Sequence, residues 1–323
     1  MRIVELSELP DRLGPQIGAL NWLDGDPPYD ARFLHRLRAL GYPASDYQAL
    51  LAVEGGQVLG KLDTTIHPYV TPAGTEQVVW VSGVETRPDA LRRGVARTLL
   101  GEAHARERAA GRRWAFLWTH RSWVAHRMYE QLGYRDVYSP PAALRRLARS
   151  PRRVLPRGYG WRTLRPTEHN VLESLLSEAS AGRHGFIPRY RGSFRLRFKL
   201  GWRRPSDYRV LSKDSKLVGY AHAPSSRYAR AGYEIVVNHP RHAGAMLDGL
   251  ERETAGRWLA LARTTFITDH EELFRKRGYA VYRHAHPTMM AKPLHPDSRY
   301  PSSAGPAAVC GSPAFLFHGG DVF

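Results

Sequence analysis

The residues of this chain that are spaced for chemistry gather in one stretch, VSGVETRPDALRRGVARTLL at 81–100. A β-branched run reaches Pro88, and six positions later Gly94 stands among Arg92, Arg93 and Arg97 as an amphipathic helix pattern begins. The first amides of a helix have no intrahelical acceptor, and the aligned peptide dipoles add partial positive charge there. A glycine at that point lets a ligand approach the backbone closely or lets the chain take a positive φ. Arginines beside it supply charge-assisted donors to phosphate oxygens. The combination is an anion cradle suited to a pyrophosphate. Three further reactive side chains lie near it in sequence: Glu85 before the turn, His120 at the end of the next apolar run, and Tyr129 beyond that.

Those residues need a scaffold, and the composition allows one. The 323 residues suffice for two ordinary domains, and a hydrophobic fraction of 42% supports real cores. No run approaches the roughly 20 apolar residues that span a bilayer. The opening MRIVELSELPDRLG carries acids where a signal peptide would be apolar. A soluble, cytoplasmic protein with no membrane association is expected. The single cysteine, Cys310, excludes an intrachain disulfide and fits a reducing compartment. It lies in a Gly/Ser/Pro/Ala tail, without the organised surroundings that stabilise a thiolate. The formal charge of +18 points towards nucleic acid or an anionic small molecule. Its source is 42 arginines against six lysines, spread along the chain with denser patches at 144–157 and 189–204. No recognition helix, zinc spacing or aromatic RNA-binding signature accompanies them, so an anionic cofactor or substrate is at least as good a reading, and no metal is called for.

Two halves repeat one order of elements. A Pro/Arg-rich segment, SPPAALRRLARSPRRVLPRG at 139–158, reads as a linker between them. In the first half YQALLAVEGGQVLGKLDTTI is a hairpin around Gly-Gly, and in the second YRVLSKDSKLVGYAHAPSS is a hairpin around Lys213-Asp214-Ser215. Each hairpin leads to another strand (77–84, 232–238), a helix (about 92–109, 242–254), a strand (112–120, 256–266), and a short helix closing on Gly-Tyr. The expectation is a duplicated α/β unit, each copy a mixed, largely antiparallel central sheet with helices on both faces. The expected domains are 1–140, a linker at 141–158, 159–296, and a flexible tail at 297–323.

The order Val84-x-Thr86-x-Pro88, then Arg92-Arg93-Gly94-Val95-Ala96, resembles motif A of the GNAT acyltransferase superfamily. AHRMYEQLGY resembles its motif B, a short helix carrying a tyrosine and ending in Leu-Gly-aromatic. The two motifs cover about 80–138. The position three before Gly94, usually Arg or Gln in the family, is Leu91, so Arg92 or Arg93 must carry the phosphate charge. Ser122 stands where an asparagine is frequent. The resemblance implies acetyl-CoA or another acyl-CoA as co-substrate. Its pantetheine would lie along Val84, Glu85 and Thr86, where the strand splays from 114–120, and its phosphates on the amides of Arg92, Arg93, Gly94, Val95 and Ala96, with Arg97 and Ser122 beside them.

Acyl transfer to an amine needs a deprotonated nucleophile, a polarised thioester carbonyl and a proton for the thiolate. Tyr129 resembles the family's general acid, and a phenol is protonated at neutral pH. Glu85, directly or through water, and His120 are rival bases. Packing of Tyr129 in a core and a surface salt bridge for Glu85 are the structural alternatives. The acceptor amine is expected in NWLDGDPPYDARFLHRLRALGYP, where Trp22, Asp24, Asp26 and Tyr29 could hold a cation, unless Asp-Gly-Asp-Pro-Pro is simply a turn. In the second half Phe274 falls opposite Tyr129 and Met246 falls where the glycine is expected. The arrangement looks like the tandem GNAT proteins, with a catalytic first unit and a degenerate second one that shapes the substrate site or a dimer. It leans towards the enhanced-intracellular-survival type rather than the mycothiol-synthase type. The expected function is acetyl transfer to a primary amine of a small molecule or peptide. A non-catalytic CoA-binding scaffold and a nucleic-acid-binding protein are the alternatives.

Overall fold

The computed structural model describes residues 1–23, 35, 39–40, 47–149, 154–283, 287–295, 306–312 and 314–316. The chain divides into two compact units: 1–69, 73–137 and 288–307 form the first, and 70–72, 138–287 and 308–323 the second.

In the first unit, β1 (Arg2–Glu5) and the hairpin β2 (Tyr47–Glu54) and β3 (Gln57–Thr71) run antiparallel around the Gly55–Gly56 turn. Then follow β4 (Gly74–Thr86), β5 (Trp114–His120) and β6 (Arg135–Tyr138). The sheet order is β1-β2-β3-β4-β5-β15-β6, where β15 is Pro287–Pro293. β4 and β5 are a parallel pair, with Val79, Trp80 and Val81 opposite Ala115, Phe116 and Leu117. Helix α1 (Gly14–Leu23) covers one face over Ile17, Leu20, Leu51 and Val58. The other face lies under α2 (Val95–Ala109) and α3 (Val124–Gln131). The buried positions of α2 (Val95, Leu99, Leu100, Ala103, His104, Glu107) recur at helical spacing and form one stripe. Each fully buried leucine in that stripe stabilises the unit by about 1.5–3 kcal/mol.

The second unit repeats the plan with β7 (Ala142–Arg146), β8 (Tyr159–Thr163), α4 (His169–Ser180), α5 (Ser193–Leu200), β9 (Tyr208–Lys213) and β10 (Lys216–His222). It continues through β11 (Ala229–Gly232), β12 (Glu234–Val237), α6 (Ala243–Glu253), β13 (Trp258–Ala262), α7 (Phe266–Asp269), α8 (Glu271–Lys276) and β14 (Ala280–Tyr282). Its strands form two groups, β12-β10-β9-β8 and β11-β13-β7-β14. One cluster packs α4 and α5 residues against this unit's sheet, and another packs those of α6, α7 and α8. The expected class, mixed sheets with helices on both faces in a duplicated unit, is therefore the observed one.

Two expectations about the connections differ from the structure. The segment 141–158 was expected as a linker, yet Ala142–Arg146 is a strand that pairs with both β13 and β14. Conversely, β15 follows the second unit in sequence and lies in the first unit's sheet between β5 and β6. Each sheet thus takes a strand from just outside its own half of the sequence. Alternation alone identifies a strand but not its neighbours. The tail expected as flexible over 297–323 contains α9 (Pro306–Gly311), and Val309, Cys310, Phe315 and Leu316 are buried. The aromatic edge of Phe315 against Tyr138, with ring centroids 4.7 Å apart, supplies the reason.

Candidate active site

The site in the first unit starts from a break in the sheet. The parallel ladder ends at Val81 opposite Leu117, although β4 runs on to Thr86 and β5 to His120. Just past the last pair, Gly83 takes φ +52°, a left-handed peptide inside a strand. Such a bulge rotates the following amides out of the ladder and bends the strand away from its neighbour. Beyond it Val84 and Thr86 are half-buried while Glu85 is buried, with Val84 packed on the core beneath α2. Period-two alternation turns Glu85 to the opposite face.

The strand hands over through a short 3-10 turn, Pro88–Ala90, to the start of α2. Here Arg92 (φ +64°) and Gly94 (φ +81°) are both left-handed, and no side chain caps the helix. The amides at that helix end therefore lack intrahelical acceptors. A Cβ on Gly94 would meet nothing within 4 Å, so the backbone there faces open space. The arginines around this helix start are divided. Arg93 is ion-paired with Glu54 of the β2–β3 hairpin, whose carboxyl is held below its usual range by that hydrogen bond. Arg97 donates to Gln131 of α3. Arg87 is held by Asp89 at 2.5 Å and by Gln57 at 2.8 Å. Arg92 is exposed and, among the described residues, makes no ion pair or hydrogen bond through its side chain.

Tyr129 is buried on α3, and its ring meets Tyr134 edge-on with centroids 5.8 Å apart. The turn after α3 is closed by amides of Leu132 and Tyr134 donating to the Tyr129 carbonyl at 3.0 and 3.1 Å. Tyr134 in turn meets His104 of α2 at 2.8 Å, and Lys292 of β15 lies 3.3 Å from the other ring nitrogen of that histidine. Burial, with Lys292 and Arg108 nearby, pulls His104 down to about 3, so it is neutral. A lysine can only donate, so His104 Nδ1 accepts from Lys292 and Nε2–H donates to the Tyr134 hydroxyl oxygen. These contacts tie the Gly-Tyr corner to α2 and β15.

His120 ends β5, with Nδ1 at 2.7 Å from Ser122 Oγ and its ring stacked on Trp123 at 5.7 Å. Ser122 is exposed at the start of α3, so the break in the sheet, the cradle, His120, Ser122 and Tyr129 all belong to one end of the β4–β5 pair and its two following helices. Of the acceptor candidates, Trp22 falls in the last turn of α1. Its side chain, with Asp24, Asp26 and Tyr29, lies outside the described residues.

Two polar clusters had no signal strong enough to be read from sequence. Lys61 and Asp63 of β3 form a buried ion pair at 2.7 Å beside Gly83. Their i, i+2 spacing places them on one face of a strand, which was the available sign. His126 meets Asp136 at 3.0 Å, and Arg121 meets the same carboxylate at 2.7 Å. Burial pushes Asp136 up, but the hydrogen bonds from His126 and Arg121 outweigh it and leave the carboxyl below its usual range. That cluster fastens α3 to β6. Among the described residues, no group of three or more His, Cys, Asp and Glu side chains is placed to hold a metal, and no helix is long and apolar enough to cross a membrane.

The second unit holds the same break in a different state. Its strand changes partner across Tyr233: β11 pairs parallel with β13, whereas β12 pairs with β10. A common landmark aligns the two. A Cβ on Gly60 would fall 2.6 Å from the Glu85 carbonyl oxygen and 2.7 Å from Val95, and one on Gly219 would fall 2.6 Å from the Val236 carbonyl oxygen and 2.9 Å from Met246. Met246 is therefore the counterpart of Val95, and the counterpart of Gly94 is Ala245, not Met246. Helix α6 already begins at Ala243, so the left-handed turn is replaced by helix, and Gly244 does not have a positive φ. Phe274 does stand opposite Tyr129: the Arg277 and Tyr279 amides donate to its carbonyl as those of Leu132 and Tyr134 do to Tyr129.

Comparison with known proteins agrees with this geometry. The family model for the acetyltransferase (GNAT) domain matches residues 23–137. No curated protein matches the chain. A probable N-acyltransferase of unknown function from Enterococcus faecalis superposes with a TM-score of 0.67 at 14% identity, over 91% of this chain and 72% of that one. Eis1 from Mycobacterium abscessus gives 0.60 at 17%, over 91% and 74%. A tandem GNAT protein from the clavulanic acid biosynthesis pathway gives 0.53 at 17%, over 91% and 99%. At these identities the likeness is one of fold, and it extends through both units. Residues 23–137 thus match the acetyltransferase (GNAT) domain model, and the fold of the chain is similar to that of a tandem GNAT protein.

Proposed function

We propose that the first unit is an acetyl-CoA-dependent N-acetyltransferase acting on a primary amine of a small molecule or peptide. The observation that carries this reading is the uncapped start of α2, with two left-handed residues beside a strand that has left its ladder. The amides of Arg92 to Ala96 suit a diphosphate, with the Arg92 guanidinium as a cation that no partner among the described residues occupies. The amides of Val84 to Thr86 suit the pantetheine, added as an extra strand would be. The thioester carbonyl then falls at the Gly83 bulge, where amides released from the ladder can bond the oxygen as negative charge develops on it.

The acceptor amine, once neutral, attacks the carbonyl carbon, the oxygen takes up the charge, and collapse expels the thiolate. Tyr129 is the candidate acid for that sulfur. Glu85 and His120 remain rival proton acceptors for the amine. Glu85 is buried on the face of β4 that Gly83 also presents, while His120 is partly open and oriented by Ser122. The second unit has neither the left-handed turn nor the phenol, and we assign it a shaping role, in the substrate site or in a homodimer. We place the enzyme in the cytoplasm, where acetyl-CoA is supplied. Calorimetric titration with acetyl-CoA is the direct test: saturable binding supports the reading, and no heat at millimolar ligand sinks it.

A further inference from the structure

Lys61 and Asp63 are 1% and 3% exposed, and they lie against Gly83, whose φ of +52° is left-handed. A Cβ on Gly83 would fall 2.4 Å from Asp63 Oδ2 and 3.2 Å from Lys61 Nζ. The pair therefore occupies space that exists only because position 83 lacks a side chain.

The second unit shows that the fold does not require this arrangement. By the Gly60–Gly219 landmark, Lys61, Asp63 and Gly83 correspond to Tyr220, His222 and Glu234. There His222 sits opposite Glu234 in the ladder, Tyr220 donates to Glu234 at 2.5 Å, and Arg189 grips both carboxylate oxygens at 2.7 and 2.9 Å. The side chain that fills the space is the strand's own, and the backbone at 234 keeps a negative φ. A buried ion pair adds little stability over apolar residues of similar volume, because desolvation offsets the attraction. Its geometric demand is nevertheless strict, so its use at this point is directional.

Resting on the acetyl-CoA reading above, we propose that the Lys61–Asp63 pair is a positioning device. It holds the Gly83 peptide in its left-handed turn, so that the amides past Val81 meet the acyl carbonyl. Neither side chain touches the reacting atoms; both act through the backbone of β4.

The test compares affinities for acetyl-CoA and for CoA, which differ by the acyl group alone, and it needs no knowledge of the acceptor. A hydrogen bond to the acyl oxygen makes the wild-type protein bind acetyl-CoA roughly two- to tenfold more tightly than CoA. In Lys61→Met/Asp63→Leu the ratio is expected to fall to about one while the CoA dissociation constant moves less than about twofold. A pair that served folding alone would weaken both ligands together. Lys61→Met/Asp63→Ala, which empties the space against Gly83, is the second variant if the first double replacement does not fold, as judged by thermal melting. A preserved ratio in either folded variant overturns the proposal, as does a wild-type protein that binds both ligands equally. Absence of any CoA binding by the wild-type protein is a separate result and strikes the acetyl-CoA reading itself.

Discussion

The two units differ most where they are most closely aligned. Both bring a splayed strand to the start of a helix, and both close a later short helix on Gly-Tyr with the same backbone hydrogen bonds. In the first, the helix starts late, after Arg92 and Gly94 turn left-handed, and the corner carries Tyr129. In the second, helix α6 absorbs the turn from Ala243 onward and the corner carries Phe274, fully buried and edge-on to Tyr279 at 5.1 Å. The elements that build a core are shared, and those that present free amides or a phenol are not. A backbone scaffold and a reaction centre are thus separable in one chain.

The comparison can be broken in order of expected effect. Tyr129→Phe gives the first unit the ring of the second without its hydroxyl. Steady-state turnover should fall by about 10²–10⁴, the range for loss of a general acid, with CoA affinity unchanged. Unaltered turnover would remove Tyr129 from that role. Arg92→Ala removes a cation that lacks a side-chain partner among the described residues. Losing a hydrogen bond to a charged group, worth about 1.5–3 kcal/mol, should weaken CoA binding by about 10- to 100-fold in titration calorimetry. The same change at Arg93, which Glu54 already holds, should weaken it less.

The converse substitution sharpens the contrast. Phe274→Tyr places a hydroxyl in a fully buried apolar site, so denaturant melts should show a loss of about 1–3 kcal/mol and no new transferase activity. Restored activity would show that the second unit lacks only its acid. The smallest effect is on pH dependence. His104 titrates at about 3 in the folded unit, below the ordinary value of 6.5. The unfolded chain therefore takes up the proton first. Stability from this group is complete above pH 6.5 and falls by up to about 1.4 kcal/mol for each pH unit below that, until about pH 3. His104→Gln should flatten that part of the profile in acid melts.

How much of this was legible before folding depends on the kind of evidence each feature needs. The hairpins, the stripe on α2 and the Gly-Tyr corners were readable because hydrophobic periodicity and turn residues are local. The arginine–glycine turn was readable for the same reason, as was Phe274 against Tyr129, since two copies of a short motif can be aligned by eye. The division among the arginines was not. Glu54 and Gln131, which engage Arg93 and Arg97, are 39 and 34 positions away, and nothing in the local pattern assigns them. Strand partnership was equally hidden, so 142–146 read as linker although it is a central strand of the second unit.

The residue order therefore determined that the chain holds two similar α/β units, with a helix start open to an anion in the first. Its cause is short-range: side-chain alternation, helical spacing and the conformational freedom of one glycine. Tertiary structure alone decided which arginines are engaged by distant partners, which strand completes each sheet, and that a lysine and an aspartate would be buried against Gly83. Each of those outcomes turns on pairings between distant segments, whose free energy comes from contacts that exist only once the sheets have closed.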